Sequence, residues 1–233
     1  MAAGEPLLDH VDVWIFDLDN TLYHARHSLF DQVDVRIGRF IEGLLGVDAD
    51  AARRVQKEYF RAHGTTLRGL MDRHGIDPIA FLDFVHDIDY GAIPPSATLA
   101  AALDGLPGRK LIFTNGTVEH AQRVTERLGV GHHFDGVFDI VDSGYVPKPR
   151  PEPYRAMCER HGVAPRRAAM FEDIARNLAP AHAMGMSTVW IRTDSAWGRE
   201  GSDGAHVHHA TDDLAVWLDA LVARRRAVAV RSR

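Results

Sequence analysis

The segment VDVWIFDLDNT, residues 11–21, contains the clearest structural signal in the sequence. Its first half, Val11–Phe16, is short, mostly apolar and β-prone, which predicts a buried strand. Side chains two positions apart on an extended chain point to the same side, so we expect Asp17 and Asp19 to face one site at the carboxyl end of this strand. Open α/β sheets bind ligands at that edge, although a strand-end turn with a solvated carboxylate explains the same residues.

Four more short apolar runs follow, and helix-like stretches separate the later ones. The predicted strands are Lys110–Phe113, Gly136–Val141, Ala168–Phe171 and Ser187–Ile191. The predicted helices are Thr117–Leu128, Glu152–His161 and Ala175–Met184, each followed by a glycine that favours a helix end. Such alternation is typical of a parallel sheet covered on both faces. The sequence therefore predicts a doubly wound, Rossmann-like α/β core.

The interval over residues 27–89 lacks strand-like runs and has the apolar spacing of helices. Asp77 and Pro78 have the N-cap and first-position chemistry that begins a helix. This pattern predicts an α-helical cap over residues 25–93, inserted into a core formed by residues 1–24 and 94–233. Glycines are expected to end three of the cap helices, and these are Gly46, Gly64 and Gly75. Two chain crossings between the parts would permit hinged closure over the sheet edge.

Polar groups also follow the second and third strands. Thr114, Asn115 and Gly116 lie between a strand and a helix. The amides at a helix N-terminus form an anion site suited to a phosphoryl group, although a simple helix cap explains these residues equally. Lys148 lies in a loop stiffened by prolines, so its backbone is expected to be fixed, although a surface lysine is the simpler interpretation.

Two carboxylates follow the fourth strand. They belong to Glu172 and Asp173, and Asn177 comes one turn into the next helix. Beside Asp17 and Asp19 they would form an all-oxygen site suited to a hard cation. Mg²⁺ is the best fit, because it retains several waters and bridges to phosphate.

In order and spacing these motifs resemble the four motifs of the haloacid dehalogenase-like hydrolase superfamily. The motifs are Asp17-x-Asp19-x-Thr21, Thr114-Asn115, Lys148-Pro-x-Pro151, and Glu172-Asp173 with Asn177. The resemblance covers essentially the whole chain, and the helical insertion is similar to the cap of the superfamily's first subclass. The segments FDLDNTLY, EYFRAHGTTLRGL and IFTNGTVEHA resemble the branch of pyrimidine 5′-nucleotidases.

The resemblance implies a hydrolase that works through an aspartyl-phosphate. Asp17 would be the nucleophile, and Asp19 would protonate the leaving alkoxide and then deprotonate the attacking water. Dehalogenases of the superfamily lack an acid at the position of Asp19, so its presence favours phosphate esters over carbon–halogen bonds. The phosphate oxygens would be held by four residues, which are Thr114, Asn115, Gly116 and Lys148.

The resemblance also implies a Mg²⁺ cofactor. The carboxylates of Asp17 and Asp173 and the backbone carbonyl of Asp19 would hold the ion. Asn177 would orient a metal-bound water, and Glu172 would either do the same or make a structural hydrogen bond.

Substrate choice is expected to come from the cap. Gly64–Arg68 joins two cap helices, where Arg68 and the threonines could meet a nucleobase or ribose, or where Thr65 or Thr66 could simply cap a helix. The predicted substrate is a nucleoside monophosphate such as UMP or CMP. A sugar phosphate, phosphoglycolate or a phosphomutase reaction remains an alternative, and a non-catalytic binding module is disfavoured because every required side chain is present.

Composition sets limits on partners and compartment. The chain has 233 residues, with 27 Lys and Arg against 32 Asp and Glu, a formal net charge of −5. This mild acidity predicts no nucleic-acid polymer as partner, and no apolar run is long enough for a membrane span. Acidic residues such as Glu5 and Asp9 predict no secretory signal, and Cys158 is the one cysteine, which favours the cytoplasm. A monomer and a homodimer are both compatible with the sequence.

Overall fold

A computed structural model describes residues 8–231 and contains a six-stranded sheet. The strands are β1 (Val13–Phe16), β2 (Arg109–Phe113), β3 (Gly136–Phe138), β4 (Ala168–Glu172), β5 (Ser187–Ile191) and β6 (His209–Thr211). Their order is β3-β2-β1-β4-β5-β6, and every adjacent pair is parallel. The predicted doubly wound α/β class is confirmed, with β1 at the point where the strand order reverses.

Helices surround the sheet and form a separate helical layer beyond its carboxyl edge. They are α1 (Leu29–Leu45), α2 (Ala49–His63), α3 (Thr66–His74), α4 (Pro78–Val85), α5 (Ala97–Gly105), α6 (Val118–Leu128), α7 (Pro151–His161), α8 (Leu178–Ala183) and α9 (Leu214–Arg231). Because side chains alternate along a strand, Trp14 and Phe16 pack on the side of α5, α6 and α9. Val13 and Ile15 pack on the side of α7 and α8. Both faces of β1 are therefore buried, as its apolar composition predicts.

The cap is the group α1 to α4, which has an apolar cluster of its own. Val33 and Ile41 of α1 meet Leu70 of α3 and Phe81 of α4 in this cluster. Glycine lies at the C-cap of α1, α2 and α3, as predicted. The side chain of Asp77 accepts a hydrogen bond from the backbone N–H of Ile79 and so caps α4. The cap helices lie inside the predicted interval 25–93, whose end points stay predictions.

Several elements differ from the sequence-based expectations. The strand expected over Gly136–Val141 ends at Phe138, because the Asp139 carboxylate turns back to accept from the backbone amides of Val118 and Asp142. The helix expected over Ala175–Met184 is divided into a 3₁₀ turn, Ala175–Asn177, and α8. Pro180 lies in the first turn of α8, where its missing N–H is tolerated.

One strand lies where the sequence analysis expected none. The edge strand β6 has three residues and is only half buried, so its apolar signal is weak. No helix within residues 8–231 has the length and apolar character needed to cross a membrane. Glu5, used above to argue against a secretory signal, lies outside the described residues.

Candidate active site

Most of the predicted site residues meet at the carboxyl edge of three neighbouring strands. Asp17 follows β1, Thr114 follows β2, and Asp173 follows β4, with β1 in the middle. Lys148 reaches this edge from the loop between β3 and α7. These residues are buried or nearly so, and all of them line one cavity between the core and the cap. The parallel sheet thus brings together motifs that are widely separated in the sequence.

Lys148 is the central cation of the site and is only 2% exposed. Its Nζ donates to Asp17 Oδ1 at 2.7 Å, to Glu172 Oε2 at 2.7 Å and to the Phe113 carbonyl at 2.9 Å. An ammonium has three donors, and each one has an acceptor here. Burial alone would lower the pKa of Lys148, but attraction to Asp17 and Glu172 outweighs burial and raises it. This side chain is therefore charged. Lys148 is therefore a fixed positive charge beside the predicted nucleophile.

Asn115 helps to hold the loop that carries Lys148. Its side-chain Oδ1 accepts from the backbone N–H of Lys148 at 3.0 Å. The Asn115 side-chain NH₂ group has no protein acceptor within residues 8–231 and is available to a ligand. Sequence analysis predicted a phosphate contact for Asn115, and the structure adds this positioning contact to it.

The Asp17 carboxylate is held on both of its oxygens. Oδ1 accepts from Lys148, and Oδ2 accepts from the Thr21 hydroxyl at 2.9 Å. Burial, followed by repulsion from Glu172, raises the pKa of Asp17 to about 7 despite the nearby Lys148. Burial and Glu172 likewise raise the pKa of Asp173 well above its ordinary value. The site therefore carries more negative charge than Lys148 alone can balance.

The acidic cluster has the donor set that a hard divalent cation takes. Carboxylate oxygens of Asp17, Glu172 and Asp173 lie within 4.8 Å of one another, and all three residues are buried. One ammonium faces three carboxylates, so two negative charges remain when all are ionised, which matches the charge of Mg²⁺. The observed cluster includes Glu172, expected only as a supporting residue, and Glu172 Oε1 also accepts from the Ile174 amide. The predicted use of the Asp19 backbone carbonyl stays a prediction.

Asp19 is held by residues outside the acidic cluster. Its Oδ1 accepts from the Tyr23 hydroxyl at 2.6 Å and lies 2.9 Å from His120 Nε2. Burial favours the neutral acid, but the attraction of His120 and these hydrogen bonds outweigh burial and lower the pKa of Asp19. Asp17 and Asp19 therefore have opposite pKa shifts, as expected of two carboxylates with different tasks.

The helix that begins after Thr114 has few free amides. The Thr114 hydroxyl accepts from the Gly116 amide at 2.9 Å, and Thr117 caps α6 by accepting from the His120 amide. The Val118 amide donates to Asp139. Fewer backbone N–H groups are therefore free to bind an anion here than the sequence predicted. Thr114 and Gly116 still line the cavity, where the Thr114 hydroxyl hydrogen is available.

Asn177 lies at the N-terminus of α8. It is buried, lines the cavity, and its backbone carbonyl accepts from the Tyr154 hydroxyl. This contact fixes the backbone at the start of α8. The predicted role of the Asn177 side chain toward a metal-bound water stays a prediction.

The cavity has a volume of about 200 Å³, and the cap supplies much of its wall. Apolar side chains from α1, α3 and α4 line it, and these are Phe30, Val33, Ile37, Leu67, Phe81, Leu82 and Val85. Lys57 and Arg61 of α2 bring positive charge, although Lys57 already pairs with Asp34 at 2.9 Å. Trp197 of the loop after β5 completes the wall and packs edge-on against Phe60.

The structure does not bring Arg68 to this cavity. Its guanidinium pairs with Asp72 one turn along α3, at 2.9 Å, and Arg68 is absent from the cavity wall. Thr65 caps α3 by accepting from the Arg68 amide, which is the simpler of the two interpretations given for this segment. The cationic cap residues at the wall are instead Lys57 and Arg61. They were not singled out, because their helical spacing alone does not show which face meets the core.

His120, His86 and Trp197 are site residues that sequence analysis missed. His120 is fully buried, and its ring stacks on that of His86 at 4.3 Å with an interplanar angle of 9°. The pKa of His86 falls to about 3 because of burial and then of repulsion from His120, so the ring is neutral. The sequence feature that could have indicated His120 is its position, about one helical turn after the Thr114 motif.

Comparison with known proteins identifies a family over most of the chain. The haloacid dehalogenase-like hydrolase family matches residues 11–185. Phosphate metabolism protein 8 of Saccharomyces cerevisiae is 29% identical over 195 residues, which cover 76% of this chain but only 60% of that protein. A phosphoglycolate phosphatase of Rhodospirillum rubrum is 27% identical over 198 residues, with 75% and 77% covered.

Solved structures share the fold. A HAD phosphatase from Thermococcus onnurineus aligns with a TM-score of 0.60 and 19% identity, over 91% of this chain and 98% of that one. A dehalogenase structure aligns with a TM-score of 0.58 and 20% identity, over 92% and 98%. Phosphatases and dehalogenases thus share this architecture, and the site residues must decide between the reactions.

Proposed function

Because the chain belongs to the haloacid dehalogenase-like hydrolase family, we propose that it is a Mg²⁺-dependent phosphomonoester hydrolase. The main support is that two carboxylates at one sheet edge have different partners. Asp17 lies with Lys148 and the acidic cluster, and Asp19 lies beside His120. This arrangement provides one group for attack and another for proton transfer.

In the first step an Asp17 oxygen forms a bond to phosphorus, and the bond from phosphorus to the leaving oxygen breaks. Lys148 neutralises part of the negative charge of the nucleophile and of the phosphoryl oxygens. Asp19, which enters this step protonated, gives its proton to the departing alkoxide and becomes the ionised form that its lowered pKa favours. The products of this step are a free alcohol and a phosphorylated Asp17.

In the second step water attacks phosphorus, gives its proton to Asp19, and releases inorganic phosphate and the Asp17 carboxylate. The lowered pKa of Asp19 suits the ionised form that must accept this proton. When bound by Asp17 and Asp173, with Glu172 beside them, Mg²⁺ would reduce repulsion between the nucleophile and the phosphate. Asp17 is then ready for another cycle.

Asp19 favours phosphate-ester chemistry over dehalogenation. A halide leaves without a proton, but an alkoxide needs one. Asp19 lines the same cavity as Asp17 and is fixed by two hydrogen bonds. A leaving oxygen bound beside Asp17 would therefore have an acid or base within the same cavity.

We propose a pyrimidine nucleoside monophosphate, UMP or CMP, as the substrate. The apolar cap wall provides a surface on which the face of a planar base can pack. Phosphoglycolate is a second candidate, because a relative of that activity matches three quarters of the chain. Its carboxylate would require a cationic partner at the cavity wall, and Arg61 is one.

Phosphate release from a panel of monophosphates tests the proposal. The panel contains UMP, CMP, phosphoglycolate, a sugar phosphate and p-nitrophenyl phosphate, each with Mg²⁺ and with EDTA. We expect Mg²⁺-dependent release, with the highest kcat/KM for a pyrimidine nucleotide. A clear preference for phosphoglycolate would support the second candidate, and isomerisation of a sugar phosphate without phosphate release would indicate a mutase.

The variant Asp17→Asn tests the nucleophile. Turnover should fall by at least about a thousandfold, because no covalent intermediate can form. Asp12→Asn is the matched control, because Asp12 is exposed and pairs with Arg167 at the opposite end of β1. Circular dichroism should show both variants folded. Retained turnover in Asp17→Asn would remove Asp17 from this role.

A further inference from the structure

The two oxygens of the Asp19 carboxylate differ in their hydrogen bonds. Oδ1 carries both hydrogen bonds, from Tyr23 and His120. Within the described residues, Oδ2 has no hydrogen-bond partner, and Asp19 lines the cavity. A carboxylate held through one oxygen has a fixed plane, which leaves the other oxygen for proton exchange with a ligand.

His120 in turn is held from its opposite side. His120 Nδ1 lies 2.9 Å from the Tyr90 hydroxyl, which also lies 3.1 Å from the His86 carbonyl. The His86 ring stacks on the His120 ring. Both of these neighbours belong to residues 86–92, the segment through which the chain returns from α4 to the core. His120 itself belongs to α6 of the core.

Each part of this chain of contacts has little freedom to move. The His120 side chain is fully buried, and ring contacts with His86 and Tyr90 restrict its rotation. General acid catalysis depends on the position of the proton donor to within a hydrogen-bond length. A group that fixes the orientation of Asp19 therefore affects proton transfer without touching the substrate.

We propose that His120 is a positioning residue that orients Asp19 for proton transfer, and that Tyr90 and His86 hold it in place from the cap-return segment. The inference rests on the proposed phosphatase function.

Leaving groups of different basicity separate this role from a purely structural one. Departure of p-nitrophenolate needs little protonation, whereas departure of an alkoxide needs a proton. The quantity to compare is kcat/KM, which covers only the steps up to release of the leaving group. The two substrates are p-nitrophenyl phosphate and the best alkyl monophosphate of the panel.

The variants are His120→Leu and His120→Gln, with Asp19→Asn as the reference. We expect His120→Leu to lower kcat/KM for the alkyl ester by about a hundredfold. The loss for p-nitrophenyl phosphate should stay within about threefold, because this ester has little need of the acid. His120→Gln retains an N–H near the Nε2 position and should recover most of the alkyl activity. Equal losses on both substrates, or no recovery with Gln, would overturn the proposal.

Tyr90→Phe tests the outer contact with little risk to folding. It should lower alkyl-ester kcat/KM several-fold and spare the aryl ester. Tyr59→Phe is the matched control, since the Tyr59 hydroxyl contacts His74 within the cap. If Tyr90→Phe behaves like Tyr59→Phe, the cap-return segment does not hold Asp19 through His120.

Failure of this inference can be distinguished from failure of the proposed function. A wild-type protein that releases no phosphate from any ester with Mg²⁺ contradicts the phosphatase proposal itself. If the wild type is active, and Asp19→Asn selectively loses the alkyl ester while the His120 variants do not, only the positioning role is wrong.

Discussion

Individual residues at the site differ chiefly in how their charge is balanced. Lys148 satisfies all three of its donors with fixed acceptors, and Asp19 has its own partners. Glu172 and Asp173 remain part of an acidic cluster with surplus negative charge. Removing one partner of a buried ion pair leaves an uncompensated charge, which costs about 3–5 kcal/mol. A substitution at any one of these residues therefore changes the charge balance of the others.

We predict that Arg61 contributes to substrate binding. It lines the cavity and has no ion-pair partner within residues 8–231. Arg61→Ala should raise KM for the preferred substrate by about three- to tenfold with little change in kcat, because a binding contact is lost equally in the ground and transition states. Steady-state kinetics on the preferred substrate measures this.

Arg68→Ala is the matched control. It removes a partly exposed guanidinium that pairs with Asp72, so KM should stay within about twofold. A larger KM effect for Arg68→Ala than for Arg61→Ala would favour the substrate contact that sequence analysis predicted for Arg68.

Among the elements, α2 and α3 pack closely enough to require a glycine. A Cβ at Gly69 of α3 would lie 2.5 Å from Tyr59 Cβ of α2 and less than 3 Å from its ring. Close approach of these helices also lets the Thr66 hydroxyl of α3 donate to the Gln56 carbonyl of α2. Since α2 and α3 both contribute to the cavity wall, this contact affects the shape of the wall.

Gly69→Ala should therefore lower the free energy of unfolding by about 1–3 kcal/mol, since the helices must separate to admit the methyl group. Gly43→Ala in α1 is the control with the opposite expected sign. Outside its own turns of α1, no atom lies within 4 Å of its added Cβ, so helix propensity should raise stability by about 0.5–1 kcal/mol. Urea unfolding followed by circular dichroism measures both. A neutral Gly69→Ala would contradict close packing of α2 on α3.

For the protein as a whole, we expect the acidic cluster to make stability depend on pH and on Mg²⁺. The raised pKa values of Asp17 and Asp173 mean that the folded, metal-free protein favours their protonated forms. Their contribution to stability is fully present below the unfolded pKa near 3.8, and for Asp17 it is lost as pH rises toward about 7. Metal-free protein should therefore lose stability through Asp17 between about pH 4 and pH 7, and Asp173 should act in the same direction.

Mg²⁺ should reverse this loss, because the proposed site would bind it through ionised carboxylates. At a concentration a hundred times its Kd, stabilisation reaches about 2.7 kcal/mol. The increase in Tm on replacing EDTA with Mg²⁺ should be larger at pH 8 than at pH 5. Asp17→Asn should reduce this difference, and Asp12→Asn should not. A larger increase at pH 5 would contradict Mg²⁺ binding by this cluster.

The architecture and the order of the site motifs could be predicted before the fold was known. Strand runs, glycine helix ends and the Asp77 cap are local features, because hydrophobic period and backbone chemistry act over a few residues. The parallel topology follows from their alternation. It places the ends of β1, β2 and β4 at one edge, where Asp17, Thr114 and Asp173 were expected together.

The side-chain contacts at the site, in contrast, could not be predicted without the folded structure. Lys148 and Asp17 are 131 residues apart, and His120 and Asp19 are 101 apart, so no local pattern specifies either contact. Helical spacing likewise could not show that Arg61 lines the cavity while Arg68 pairs with Asp72. The physical reason is that the rotation and seating of each helix depend on packing against distant elements, and packing determines which face meets the site.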